Sequence, residues 1–238
     1  MVSHRTSPAN EYNPLLLAAS DVLARMDRLD LDVLLGLGKT RRYAKGAYIF
    51  RAGEACNHVY FLTQGRIKIH QLSPLGREII LWFCFSGEIF GLAEITHGGG
   101  RVVCAQACEN SEVLCVPQDR FHAFLEAHPR TAMLIMQVLS CRLRVLGDML
   151  VNLASDDVNI RLAKLILRLG ARYGTRVGKE IHLSIHLTHQ EMADMIGTTR
   201  QTITSVLGQL KRQGILSMDN RRILIESEEL LNEMTHTG

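Results

Sequence analysis

The run Leu-Thr-His-Gln-Glu-Met-Ala-Asp-Met-Ile-Gly-Thr-Thr-Arg-Gln-Thr-Ile-Thr-Ser-Val-Leu-Gly-Gln-Leu at 187–210 admits few folds, because its local signals all describe two short helices joined by a tight turn. Thr188 with Glu191 forms a capping box, and Leu187 with Met192 occupies the two positions of a hydrophobic staple. Met192, Met195 and Ile196 face inward, Ala193 is small where a second helix must cross, and Gly197 can take the left-handed backbone that ends a helix. Thr198 with Gln201 repeats the capping pattern for a second helix whose apolar positions are Ile203, Val206, Leu207 and Leu210. Arg200, Gln201, Thr204, Ser205 and Gly208 are left on the opposite face. Arg reads guanine and Gln reads adenine in a major groove, so this face suits base edges.

Capping boxes alone would be satisfied by an ordinary pair of packed helices. The residues C-terminal to the motif favour DNA. Ile215–Met218 and Arg222–Ile225 are strand-like runs around Asp219-Asn220-Arg221, the hairpin expected of a winged helix. From Arg161 to Arg222 there are eleven Lys/Arg against four Asp/Glu, in a chain of net charge +3. The basic excess lies where a phosphate-contacting surface is needed. The candidate DNA-contacting residues are Thr188, His189, Thr199, Arg200, Gln201, Thr204 and Ser205.

Upstream the periodicity changes twice. Residues from about 15 to 37 carry Leu15, Leu16, Val22, Leu23, Met26, Leu29, Val33 and Leu34 at helix-like intervals. Between Arg41 and Val116 the period shortens toward two and glycine recurs; 48–50, 59–62, 67–69, 78–83, 102–108 and 112–116 read as strands. Short strands at such spacing indicate an antiparallel barrel or jelly roll. The helical period then returns with Ala132, Met136, Leu139, Leu143, Leu146, Leu150 and Leu153, an alternation of four and three. That is the a/d seam of a two-stranded coiled coil. Ser155-Asp156-Asp157 breaks it and reads as a hinge.

A chain of 238 residues has room for two domains with real cores. At 47% hydrophobic and 21% charged, with no long uninterrupted apolar run, the composition is that of a soluble globular protein without a membrane span. Met1–Asn13 is polar and lacks the apolar stretch of a signal peptide, so it is expected to be an arm and the protein cytoplasmic. The six cysteines (56, 84, 104, 108, 115 and 141) then read as free thiols. Were 102–108 one strand, Cys104 and Cys108 would share a face about 13 Å apart, too far for a disulfide or a shared ion.

This order of parts, with an Asp-x-x-x-Arg hinge from Asp157 to Arg161, resembles the Crp–Fnr regulators from about Leu15 to Leu231. The matching motifs include Ala-Lys-Gly-Ala-Tyr-Ile-Phe-Arg-Ala-Gly-Glu at 44–54, Val-Tyr-Phe-Leu-Thr-Gln-Gly-Arg-Ile-Lys at 59–68 and Ser-Gly-Glu-Ile-Phe-Gly at 86–91. The resemblance implies an α+β protein: an arm (1–14), a cyclic-nucleotide-binding-like β jelly-roll sensor (15–130), a dimerisation helix (131–155) and a winged helix-turn-helix domain (156–238). It implies a homodimeric transcription regulator, an activator that contacts RNA polymerase, bound to an inverted repeat of double-stranded DNA. A ligand in the barrel would reorient the DNA-binding domains. Met136, Leu139, Leu143, Leu146, Leu150 and Leu153 would form the dimer interface.

The effector is less legible. Cyclic-AMP-binding members carry Gly-Glu and then Arg-Ser in a phosphate cassette, where this chain has Gly91-Leu92 and Arg101-Val102. Glu94 falls two residues late, and the adenine-contacting Thr-Ser of the family aligns with Leu146-Gly147. Losing several polar contacts at roughly 1–3 kcal/mol each argues against cyclic AMP. Iron–sulfur members need cysteines near the N-terminus, and the first here is Cys56, which argues against a cluster. The haem ligands of the CO-sensing branch fall on Gly91 and Ala93, with only His97 nearby, so haem stays open but without support. Leu139-Ser140-Cys141-Arg142-Leu143 is similar to the nitrogen-control branch, which senses 2-oxoglutarate; Arg101 and Arg142 could converge on an anion, or Arg142 could serve a surface salt bridge. The candidate pocket is Gly91, Leu92, Arg101, Val102, Arg142 and Leu146, its ligand unknown.

Enzymatic readings find no support. A cupin needs His-x-His, but His70 is followed by Gln71 and Leu72; Cys-x-x-Cys is absent, and Gly98–Gly100 lacks the residues of a phosphate loop. No metal site is expected. A sensor module acting on a protein partner would explain residues 40 to 130 and leave the helix-turn-helix without purpose.

Overall fold

The structure, a computed structural model, describes residues 21–94, 99–219 and 222–236. The expected N-terminal arm, the helical positions 15–20, His97 and the wing turn at 220–221 lie outside them. The described chain opens with α1 (Val22–Arg25) and α2 (Arg28–Leu37), not one helix. Met26 and Asp27 are extended between them, at ψ 147° and 144°. This bend lets Val22 and Leu34 both bury against the barrel.

Among the described residues, eight strands make the jelly roll: β1 (Lys39–Tyr43), β2 (Tyr48–Phe50), β3 (His58–Gln64), β4 (Arg66–Leu72), β5 (Glu78–Phe85), β6 (Ile89–Phe90), β7 (Cys104–Ala107) and β8 (Ser111–Pro117). They form two four-stranded antiparallel sheets, ordered β1-β8-β3-β6 and β2-β7-β4-β5. Strand period two places Tyr60 and Leu62 between the sheets and sends Val59 and Phe61 to the other face, under the helices. The expected strand at 102–108 is shorter. Buried Arg101 and exposed Val102 precede it, and Cys108 follows it. Cys104 therefore sits in the barrel, its Sγ accepting from the Ala52 amide, while Cys108 packs toward the C-terminal core. All six cysteines are free.

Helix α3 (Gln118–Ala127) leads into α4 (Pro129–Ser155), whose 27 residues span about 40 Å. Leu134, Ile135, Val138 and Cys141 of α4 are buried toward the barrel. Met136, Leu139, Leu143, Leu150 and Leu153 are exposed, and Leu146 is half-buried. Asp157 caps α5 (Val158–Tyr173) by accepting from the Ile160 amide. Arg161 donates to the carbonyls of Asp156 and Ile196, tying the hinge to the helix-turn-helix.

The C-terminal part adds β9 (Gly174–Val177), β10 (Glu180–Leu183), α6 (His189–Ile196), α7 (Arg200–Arg212), β11 (Leu216–Asp219), β12 (Arg222–Ile225) and α8 (Glu228–Glu233). The wing hairpin β11–β12 is joined by β10 and β9 into one sheet, ordered β11-β12-β10-β9. The second hairpin, β9–β10, is not among the strands expected from periodicity. A signal for it exists: Thr175-Arg176-Val177 and Glu180-Ile181-His182 flank Gly178, which takes φ 63°.

Candidate nucleic-acid interface

Thr188 caps α6 by accepting from the Glu191 amide, and Glu191 Oε2 accepts in return from the Thr188 amide at 2.8 Å. Leu187 and Met192 are both buried, as a staple requires. Gly197 ends the helix at φ 70°, ψ 43°, a left-handed conformation that favours glycine.

One detail of the motif is corrected. The cap of α7 is Thr199, not Thr198: the Thr199 hydroxyl accepts from the Thr202 amide. Thr198 belongs to the end of α6. Its amide donates back to the Ala193 carbonyl and its side chain is buried, so it cannot also cap the next helix. Gln201 accordingly stands in the first turn without a reciprocal capping role.

Helix α7 divides cleanly. Ile203, Val206, Leu207 and Leu210 are buried in the C-terminal core, while Arg200, Gln201, Thr204 and Ser205 are exposed. Thr188 and Thr199 are exposed beside them and His189 is half-buried. His189 Nδ1 lies 2.8 Å from Thr204 Oγ1, so the first helix touches the exposed face of the second. The arrangement can present one arginine, one amide and two hydroxyls to a groove over a rigid apolar base.

The motif is also seated on the barrel, which the sequence did not reveal. Ile80 and Phe83 of β5 share a core with Met192 and Ile196 of α6. Arg66 of β4 pairs with Glu191 at 3.1 Å, and Arg77 donates to the Thr198 carbonyl. Long-range pairs of this kind have no spacing by which to find them.

The candidate effector residues fall into two separate groups. Arg101 is 2% exposed, pairs with Glu94 at 3.0 Å, donates to the carbonyls of Gly91 and His58, and stacks over Phe50 and Tyr60. Glu94 thus reaches Arg101 in spite of its late position, and its other oxygen accepts from the Val102 amide. Gly91 has φ 77°, and a Cβ there would come within 2.9 Å of Tyr60. Leu92 is buried and Val102 exposed. Arg142 instead donates to the Ile89 carbonyl, faces Glu88 at 3.8 Å and lies over the Trp82 ring. Glu88 also pairs with Arg172 of α5. Arg101 and Arg142 therefore serve different carboxylates, and the structure does not bring them together on one site. Leu146 lines a cavity of about 70 Å³ beside Arg142, Trp82 and Arg172.

Among the described residues no group of three His, Cys, Asp or Glu is placed to hold a metal ion, and no helix is long and apolar enough to cross a membrane.

Comparison with known proteins finds two matched stretches of the chain. Residues 40–128 match the cyclic nucleotide-binding domain, and residues 160–234 match the Crp-like helix-turn-helix domain. The CRP-like cAMP-activated global transcriptional regulator of Mycobacterium tuberculosis (strain ATCC 25618 / H37Rv) is 28% identical over 189 residues, covering 79% of this chain and 84% of that one. The global nitrogen regulator of Synechocystis sp. is 29% identical over 187 residues, covering 78% and 83%. Among solved structures, a CooA mutant from Carboxydothermus hydrogenoformans superposes with TM-score 0.76 at 26% identity, over 85% of this chain and 90% of that one. FixK2 from Bradyrhizobium japonicum shares the fold with TM-score 0.73 at 23% identity, over 83% and 96%.

Proposed function

This chain belongs to the Crp–Fnr family of DNA-binding transcription regulators, and from that premise we propose that it reads an inverted-repeat operator as a homodimer through the exposed face of α7. The observation that carries this reading is the split of α7, with Arg200, Gln201, Thr204 and Ser205 outward and Ile203, Val206, Leu207 and Leu210 buried. The α4 seam supports dimerisation: Met136, Leu139, Leu143, Leu150 and Leu153 expose apolar surface along a helix whose other face is buried from Thr131 to Cys141. Two copies would set two recognition helices one DNA turn apart.

The protein acts in the cytoplasm as an activator that contacts RNA polymerase, with the barrel setting the position of the DNA-binding part. The contacts of Arg66, Arg77 and Phe83 with α6 and its turn offer a physical route for that control. Arg101 is already neutralised by Glu94, so a cyclic nucleotide phosphate would have to displace a buried carboxylate. A sensor acting only through a protein partner leaves the wing and the exposed face of α7 unexplained.

The test is selection of duplexes from a randomised pool by the full-length protein, followed by affinity measurement across a salt series. An enriched inverted repeat bound with a steep salt slope is expected. Recovery of no preferred sequence would contradict the reading.

A further inference from the structure

We propose that His189 contacts a DNA phosphate only in its imidazolium form, so that operator binding takes up a proton in each subunit. The inference rests on the DNA-reading role of α7 and concerns how α6 supports it. His189 is the first residue of α6, and its Nδ1 lies 2.8 Å from Thr204 Oγ1. Thr204 donates its single hydroxyl proton to the Arg200 carbonyl at 2.9 Å. With the proton on that carbonyl, the hydroxyl accepts from His189 and Nδ1 keeps its hydrogen. In a neutral ring with that hydrogen on Nδ1, Nε2 is an acceptor only and cannot bond a phosphate oxygen.

The first helix of such a motif crosses the DNA backbone. His189 can therefore grip a phosphate there only by gaining a second ring proton. Its surroundings bear on the balance. On α7 it shares a hollow of about 170 Å³ with Lys211, and Glu191 follows on α6. The wing contributes the uncharged Ser217, Met218 and Ile223, and beyond them ends in the Asp219–Arg222 pair, with His186 3.5 Å from Arg222. A phosphate at Nε2 favours the doubly protonated ring.

The experiment measures the dissociation constant of the full-length protein for its best selected duplex from about pH 6 to pH 8 at constant ionic strength, the window in which histidines titrate. Affinity should weaken as pH rises, approaching about tenfold per pH unit for each histidine engaged. His189→Gln should flatten the profile. Thr204→Val should flatten it too, because without the hydroxyl the neutral ring can carry its hydrogen on Nε2. His182→Gln, a control on β10, should keep the wild-type slope. A flat wild-type profile would overturn the proposal, since the hydroxyl would then donate to His189. An undiminished slope in His189→Gln or in Thr204→Val would overturn it equally. In each of these cases the duplex is still bound and the reading of α7 stands, whereas failure to recover any duplex removes that reading and this proposal together.

Discussion

Arg66 on β4 of the barrel reaches 3.1 Å to Glu191, the same carboxylate that closes the capping box of the first helix of the DNA-binding motif. The two oxygens divide the work. Oε1 accepts from Arg66 and Oε2 from the Thr188 amide. The side chains are only 13% and 16% exposed, and the guanidinium lies 4.8 Å over the Phe83 ring, so this pair is screened less than a surface one. A change in β4 or β5 is thereby felt at the start of α6.

Arg66→Ala should lower stability by about 1–3 kcal/mol, because a charge-assisted bond is lost and a partly buried carboxylate keeps only its cap. Glu191→Gln keeps the reciprocal cap, since glutamine serves in that position, but loses the charge. Denaturant unfolding of both single variants and the double variant should give a coupling energy of about 1 kcal/mol or more. Strict additivity would mean that the contact carries nothing between barrel and motif.

The seam of α4 makes a sharper prediction than its sequence alone. Leu150 is 69% exposed in the single chain and only borders the hollow between α4, Ile80 and Met195, so Leu150→Asp disturbs internal packing less than a change at Leu146 would. It should yield folded monomers on sedimentation that no longer bind operator. Leu146 is half-buried beside Trp82 and Arg142, and its replacement would confound dimer loss with damage to the barrel. A Leu150→Asp protein that sediments as a normal dimer places the interface elsewhere.

Cyclic AMP should produce no heat in titration calorimetry and no change in operator affinity, because Glu94 already pairs with Arg101. Arg101→Ala should destabilise the barrel by about 3–5 kcal/mol, the cost of leaving a buried carboxylate without its partner. Stoichiometric binding of cyclic AMP by wild type, lost in that variant, would mean that the phosphate displaces Glu94.

Asp194 on α6 gives a dependence on pH. Burial holds its carboxyl above the usual range, with the negative charge of Glu78 adding to the effect and a hydrogen bond from Gln190 opposing it. A raised folded-state value means that the folded protein binds the proton more tightly than the unfolded chain. Its contribution to stability is therefore most favourable at low pH and declines as pH rises through the window between the two values. Asp194→Asn should stabilise the protein at neutral pH, with the gain vanishing below the ordinary aspartate range. A gain of equal size at every pH would point to a cause other than ionisation.

How much of this was legible depended on range. The caps, the turn and the buried face of α7 rest on residues a few positions apart, and Thr188, Glu191, Gly197 and Ile203 declare them directly. The shift from Thr198 to Thr199 was not legible, because both are capping residues and only the backbone closure onto Ala193 decides between them. The bend at Met26–Asp27 was hidden by an unbroken apolar period. Aligned spacing puts Glu94 out of place, yet a loop can return a carboxylate to Arg101 where a strand could not. Arg66–Glu191 joins residues far apart in the chain, and neither position marks itself as half of a pair.

Whether α7 reads bases is decided at Arg200. The measurement is the affinity of wild type and Arg200→Ala for the selected duplex and for its single-base variants, each across a salt series. Ser205→Arg is a companion variant that can grip guanine O6 and N7 together where serine makes one bond. Arg200→Ala should cost about 1–3 kcal/mol on the selected duplex and relax preference at one position in each half-site. Ser205→Arg should sharpen preference for guanine at the position it faces. A loss uniform across sequences, with a salt slope shallower by about one, would place Arg200 on a phosphate. Unchanged affinity and specificity in both variants would contradict the account, because α7 would then not lie in the groove.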